Sequence, residues 1–558
     1  MKRLFILLFI FGMLQSACVK LDLNPLSESS TGNFYANQTE LEMAVNDLYR
    51  LVFWQNSNEE HSDNLWNRGD GGNAITYGTL DAENGTVGTF WLNAYKAIGR
   101  ATVFLEKKDN GADNTPESVM QRMEGEARLA RAYQYARLIA HFGDVPLLTE
   151  SIMLEDSYTL PRTDKNVVMD FIFHELDLAA DLLPVSYSDG ELKRATKGAA
   201  LGIKARTALY MGEWSVARDA AAAVIALADE GVYTLHPDYR RLFLADGALS
   251  NEIMISIPRS EEHGFVGGSR NHISRNNGGY ASVLPTWDIM DAYECIDGLP
   301  IDESPLYDPS APFANRDPRL TNTIVEFGTP WLGFSYQPHP DSTQVWSYQD
   351  GRMVSNADSR GVGEFASYTG LLLKKGIDES WLEAQREDND RIIMRYAEML
   401  LTYAEAKVEL NEIDESFFDA LNQVRARAYG VSVGETSAYP AVTTTNVDAL
   451  RTLIKRERRV ELAYEGLRYM DLIRWRLAEK ALGRPLYGLP DPENQDRDKW
   501  LFAGPPAIDA DGIPDYSELG SHVKQIAERN FDASRQYLWP IPASERRIND
   551  ELTQNPNY

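Results

Sequence analysis

The chain has 558 residues, with 83 Asp and Glu against 55 Lys and Arg, giving a net charge of −28 and a pI near 4.8. Such a field repels extended polyanions and excludes nucleic acid as a partner. Aromatic residues make up 10% of the chain, with 11 Trp and 27 Tyr, which is too rich for an acidic disordered polymer and predicts a globular body.

At the amino end, Lys2 and Arg3, the apolar run from Leu4 to Leu14 and the sequence Gln15-Ser16-Ala17-Cys18 read as an export signal. The apolar run is too short to span a bilayer. Small residues directly before a cysteine predict lipoprotein processing, with residues 1–17 removed, Cys18 acylated and residues 18–36 forming a tether. Removing the signal takes away Lys2 and Arg3 and no acidic residue, so the charge of −28 becomes −30. The only other cysteine is Cys295, so acylation of Cys18 leaves no intramolecular disulfide and packing must supply the stability.

Helical periodicity begins near residue 37. Leu41, Ala44, Val45, Leu48 and Val52 share one face, with Asn37 and Glu40 as a capping box. The Ala- and Leu-rich stretch from Gly125 to Ala140 predicts a helix stopped by Phe142-Gly143-Asp144-Val145-Pro146. From Thr196 to Asp229 a helix reaches Met211, turns at Gly212 and Glu213, and resumes at Trp214. Ala205, Ala208, Ala217, Ala221 and Val224 stand where two helices of a tetratricopeptide-like hairpin approach closely. A second hairpin is predicted from Met394 to Tyr429, with Ala404, Val408, Ala420 and Val424 at the contact and Asn411 at the turn. Gly125 to Phe142 and Asn446 to Lys480 are candidates for further arms.

Between residues 255 and 390, Pro and Gly punctuate short aromatic runs and helical periodicity is absent. The predicted fold class is therefore mainly α, with TPR-like helical hairpins forming a scaffold that carries an irregular, loop-rich subdomain. The expected divisions are an amino-terminal helical region over 37–254, the irregular subdomain over 255–390 and a carboxyl-terminal helical region over 391–558.

Catalytic signatures are weak. Arg395, Glu398, Glu405, Glu457, Arg458, Glu461, Arg468 and Asp471 resemble a carboxylate array, but their helical spacing predicts mutual pairing. Gly430-Val-Ser-Val-Gly434 has the form of a nucleophile elbow, yet it follows a helix rather than a strand and reads as a helix-ending turn. HExxH, CxxC and phosphate-loop strings are absent from the sequence. The chain is expected not to be an enzyme and to need no cofactor, apart from a weak calcium candidate at Asp509, Asp511, Asp515 and Glu518, where Ala507 occupies the first ligand position.

Binding chemistry has better candidates, because sugars offer C–H faces to aromatic rings and hydroxyls to short polar side chains and Arg. Asp63, Asn64, Trp66, Asn67, Arg68 and Asp70 offer this mixture in a loop-rich region from Gln55 to Thr89. Trp287, Trp331, Tyr336, Trp346 and Tyr368, with Arg352 and Arg360, offer it in the irregular subdomain, where Cys295 is a minor candidate.

Several stretches resemble the SusD/RagB family of outer-membrane nutrient-binding lipoproteins. They include Leu21-Asp-Leu-Asn-Pro25 after the cysteine, Gly125-Glu-Ala-Arg128 with Phe142-Gly-Asp-Val-Pro146, and Tyr293-Glu-Cys-Ile-Asp-Gly298 with Asn315-Arg-Asp-Pro-Arg319. Arg395-Tyr-Ala-Glu398, Leu421-Asn-Gln-Val-Arg425, Glu457-Arg-Arg459 through Trp475, and the ends Trp539-Pro-Ile-Pro542 and Gln554 to Tyr558 continue the likeness. The resemblance implies four TPR-like units and a lipid-anchored protein on the outer face of an outer membrane. It also implies capture of oligosaccharide or polysaccharide for a SusC-like TonB-dependent transporter. A peptide-binding role in the same family and a TPR-type envelope scaffold are the alternatives.

Overall fold

The structure, a computed structural model, describes residues 34–54, 58–68, 73–188, 193–262, 266–381, 386–489 and 504–558. The export signal and Cys18 lie outside the described residues. Helix α1 (Gln38–Asp47) starts where Asn37 accepts the Glu40 amide at 3.1 Å, while the Glu40 carboxylate reaches back to the amide of Ala36 at 2.8 Å. The capping box thus forms with its return bond one residue earlier than the usual spacing.

Helices α2 (Gly85–Lys107), α3 (Glu117–Phe142), α4 (Lys165–Leu182), α5 (Lys197–Met211) and α6 (Trp214–Asp229) pack as successive neighbours. The α5–α6 turn uses Gly212 at φ 82°, a left-handed conformation open to glycine without Cβ strain. Ala205, Ala208, Ala217, Ala221 and Val224 are fully buried, which lets the two helices approach. Helices α7 (Tyr396–Glu409) and α8 (Glu415–Ala428) form the second expected hairpin, with Asn411 at φ 57° in its turn. Gly430 follows at φ 66°, so the Gly-x-Ser-x-Gly string does close a helix. The stretch from Asn446 to Lys480 is not one long arm: α9 (Val447–Glu461) gives way to the short α10 (Arg468–Arg474) and to a further turn at Ala478–Leu482. Among the described residues, no helix is long and apolar enough to cross a membrane.

Helix α7 packs against α5 and α6, although the whole irregular segment separates them in sequence. One apolar core runs through both halves, from Leu41 to Leu552. Strand β2 (Ile253–Ile257) leaves the helical block and pairs antiparallel with β8 (Arg391–Arg395), which returns to it. Between them lie β3 (Val283–Pro285) and an antiparallel meander of β4 (Pro330–Trp331), β5 (Phe334–Ser335), β6 (Gln344–Ser347) and β7 (Arg352–Ser355). Strand β1 (Leu65–Asn67) reaches across from the amino-terminal region to pair with β3, with Trp66 opposite Leu284.

A buried ionic lattice joins these parts. Glu461 accepts from Arg395 at 2.6 Å, from Arg319 at 2.9 Å and from Arg427. Glu252 accepts from Arg395 at 2.7 Å and Arg427 at 2.8 Å, while Glu457 accepts from Arg319 at 2.6 Å and Arg425 at 2.7 Å. Arg425 also reaches Glu294 at 2.8 Å, and Arg474 clamps Glu405 through two bonds of 2.6 and 2.7 Å. The charged array of the sequence is therefore paired in the interior, but across distant segments rather than along one helix as its spacing predicts: Arg395 meets Glu461 and Arg458 meets Asp471, while Glu398 takes Arg206 and Arg468 takes Asp63.

Candidate functional site

The β1–β3 ribbon brings together two stretches that lie far apart in the sequence. Alternation along β1 turns Trp66 toward Tyr368, whose ring it meets edge-on at 5.9 Å. Two residues on, Arg68 donates its amide to Ser282 at 2.8 Å and sends its guanidinium outward between two loops. There Nη1 donates to the carbonyls of Phe365 and Ala366 at 2.6 and 3.2 Å, and Nη2 donates to that of Tyr280 at 2.9 Å. Burial lowers the Arg68 pKa, and Arg275 and Arg360 add to the effect, while the three carbonyls stabilise the cation.

The result is a platform of aromatic rings and guanidinium groups. Arg68 lies 5.7 Å from the Phe365 ring centre and 5.5 Å from that of Tyr368, Arg360 caps Tyr368 at 3.8 Å, and Arg270 lies over Tyr280 at 4.7 Å. Phe365 is 51% exposed and Tyr280 44%, so both rings offer faces to a ligand. Beneath them, Trp287 Nε1 donates to Thr369 O at 2.9 Å and the Tyr336 hydroxyl to Gly370 O at 2.7 Å, anchoring the segment that presents Phe365 and Tyr368. Asp358 accepts the Arg275 amide at 2.6 Å, which joins the neighbouring loops; burial pushes this carboxyl up to about 6.

Of the sequence candidates, Trp66, Arg68, Arg360 and Tyr368 converge here. Six others are corrected from ligand contacts to interior residues. Asp63 is fully buried and accepts from Arg468 at 2.8 Å and Arg459 at 2.9 Å. Burial alone would raise its carboxyl, but the two guanidinium groups outweigh this and hold it well below the usual range. Asn64 is buried between Arg459 and Glu59. Trp287, Trp331 and Tyr336 are core residues supporting the platform from within, and Cys295 is a buried thiol that burial raises. Trp346 is exposed on the outer face of β6 opposite Met353, on a surface to which no Arg68 contact reaches. Arg352 is likewise exposed. Asp70 lies outside the described residues.

Sequence reading missed Tyr280, Phe365, Arg270 and Arg275. Tyr280 directly follows Gly278-Gly279, and Phe365 lies two residues past Gly361-Val-Gly363, so an aromatic close behind a glycine cluster was the available signal. The glycine at 361 is needed for close approach: a Cβ there would lie 2.0 Å from the carbonyl oxygen of Pro340. Gly361→Ala is expected to shift the loop bearing Phe365 and cost about 1–3 kcal/mol, read as a lower urea midpoint and as altered ligand binding.

Three of the four calcium candidates are otherwise engaged. Asp511 accepts from Lys455 and Lys480 at 2.8 Å each, Asp509 pairs with Lys480 at 2.6 Å and caps its own turn, and Asp515 accepts the Ser517 amide at 2.9 Å. Glu518 is exposed. Among the described residues, no group of three or more His, Cys, Asp or Glu is arranged to hold a metal.

A family model described as "SusD family" matches residues 258–558, and one described as "Starch-binding associating with outer membrane" matches residues 22–209. SusD-like protein P2 of Formosa agariphila is 25% identical over the full length of both chains, the alignment covering 100% of each. A crystal structure of a SusD-like carbohydrate binding protein from Bacteroides fragilis is 30% identical, with a TM-score of 0.78, covering 93% of this chain and 100% of that one. A second SusD-like protein from Bacteroides fragilis is 25% identical with a TM-score of 0.73, covering 94% of this chain and 98% of that one.

Proposed function

The chain belongs to the SusD family, and on that premise we propose that it captures oligosaccharide or polysaccharide at the outer membrane and passes it, chemically unchanged, to a SusC-like TonB-dependent transporter. The anchor in this reading is an acyl group on Cys18, and the binding face looks away from the cell. One observation carries the ligand class: Arg68 pins two loops so that exposed Phe365 and Tyr280 stand beside Arg360 and Arg270. Flat apolar rings take the C–H face of a sugar, and the guanidinium groups donate to its hydroxyls without any step that breaks a bond. The match to the starch-binding family model and the likeness to the Bacteroides fragilis carbohydrate binding protein support the same class.

The test is a panel of purified polysaccharides beside a panel of peptides, read by calorimetry on the full chain. A glycan is expected to bind, with Phe365→Ala and Tyr280→Ala each weakening it roughly tenfold and leaving the fold intact. Binding of peptides alone would replace the glycan reading, and hydrolysis of the bound glycan would end the non-catalytic one.

A further inference from the structure

Arginine in this chain ordinarily meets a carboxylate. Arg259 pairs with Glu387 at 2.6 Å, and Arg319, Arg395, Arg425 and Arg474 each hold at least one acid. The platform departs from that pattern. Among the described residues, Arg68, Arg270, Arg275 and Arg360 form no ion pair.

A guanidinium has five N–H donors, and on the platform few of them are used. Beyond the three carbonyl bonds of Arg68, the Arg270 side chain donates once, to Gly278 O at 3.2 Å, and the Arg275 side chain once, to Gly279 O at 3.3 Å. The Arg360 guanidinium donates to no protein atom among the described residues and lies over the Tyr368 ring at 3.8 Å.

The four cations also stand within one another's fields. Arg68 and Arg360 share the Tyr368 ring, and Arg275 and Arg360 both act to lower the Arg68 pKa, after the larger effect of burial. The segments that build the platform, 65–68, 270–281 and 356–368, carry these four arginines against two acids, Asp358 and Glu364. A local excess of two positive charges therefore stands in a chain whose net charge is −28. Like charges without partners repel, and an anionic group that takes the spare donors removes that repulsion while forming paired, charge-assisted bonds. A ring bearing hydroxyls alone needs no such excess, since aromatic faces and neutral polar groups suffice for it.

The rest of the surface limits the size of the ligand. Its acids repel an extended polyanion, but physiological salt screens them beyond about 8 Å, whereas ion pairs in contact persist. The arrangement suits a short, sparsely charged stretch rather than a dense polyelectrolyte.

We propose, resting on the glycan reading above and adding the charge of the ligand, that the platform selects an acidic oligosaccharide. Arg270, Arg275 and Arg360 hold its carboxylate or sulfate groups while Phe365 and Tyr280 cover its sugar faces. The probes are matched pairs, read by calorimetry on the full chain: oligogalacturonate against its neutral methyl ester, and carrageenan oligosaccharides against their desulfated forms. Alginate, malto- and xylo-oligosaccharides complete the panel. At least one acidic probe is expected to bind about tenfold more tightly than every neutral one, and to lose about tenfold in affinity between about 0.05 and about 0.5 M NaCl. Arg270→Gln and Arg360→Gln should each weaken it about tenfold and flatten its salt dependence, while Phe365→Ala weakens it and leaves the salt dependence unchanged. Circular dichroism checks each variant, and because Arg270 is exposed its variant decides the matter if Arg360→Gln loosens the loop. Preference for the carboxylated probes identifies a uronate as the group held, and preference for the sulfated ones identifies a sulfate ester. Equal or tighter binding of a neutral probe, or an affinity indifferent to salt, overturns the proposal and leaves the glycan reading standing. Binding by no oligosaccharide at all removes both.

Discussion

Glu461→Gln is expected to destabilise the protein by about 3–5 kcal/mol, because it removes one charge from the middle of three buried guanidinium groups. Arg319, Arg395 and Arg427 all donate to this carboxylate, which ties together three segments distant in the sequence. Burial works to raise the Glu461 pKa, but Arg427, Arg395 and Arg319 hold it well below the usual range. Its contribution is therefore present above the unfolded-state pKa and is lost as pH falls through the folded one. Urea denaturation at neutral pH measures the effect as a large drop in midpoint at an unchanged slope. Loss of the exposed Arg547–Glu83 pair is the control, expected to cost less than about 1 kcal/mol. A loss at Glu461 as small as the control's would show that the lattice contributes little to stability.

Asp291→Asn should do the reverse and stabilise the protein at alkaline pH. Asp291 is 2% exposed; Oδ2 accepts the Tyr516 hydroxyl at 2.8 Å and Oδ1 has no partner. Burial pushes its carboxyl from 3.8 up to about 7, with Arg316 and the Tyr516 bond opposing the shift only in part. A folded pKa above the unfolded one favours folding fully at pH below the unfolded value, and that advantage disappears as pH rises through about 7. At about 1.4 kcal/mol per pKa unit, the loss by pH 8 is on the order of 4 kcal/mol. The asparagine variant cannot ionise, so its stability should exceed the native protein's at pH 8 and converge with it near pH 4. Parallel pH curves for the two proteins would refute the assignment.

The helical scaffold was legible because its determinants are local. Thr196, Gly212 and the alanines of α5 and α6 specify a hairpin wherever they occur, and Asn37 caps α1 through an amide three residues on. The binding platform was only half legible. Trp66 and Arg68 stood out as an aromatic beside a cation, but nothing in their neighbourhood indicates that β1 pairs with β3 or that Arg68 ends among the carbonyls of 280, 365 and 366. Burial misled in the other direction. Asp63 and Asn64 look like hydroxyl-seeking surface groups until Arg459 and Arg468 arrive from a region some four hundred residues later. Trp287 and Trp331 carry rings of the kind a sugar stacks on, yet those rings serve the core.

The seating of α7 beside α5 and α6 also governs how the chain must assemble. A polypeptide emerging from its amino end displays an apolar flank long before the helix that covers it has been made. Such distant closure slows folding and lengthens the life of sticky, half-assembled species. A truncation anywhere before residue 396 leaves the amino-terminal helices without their cover.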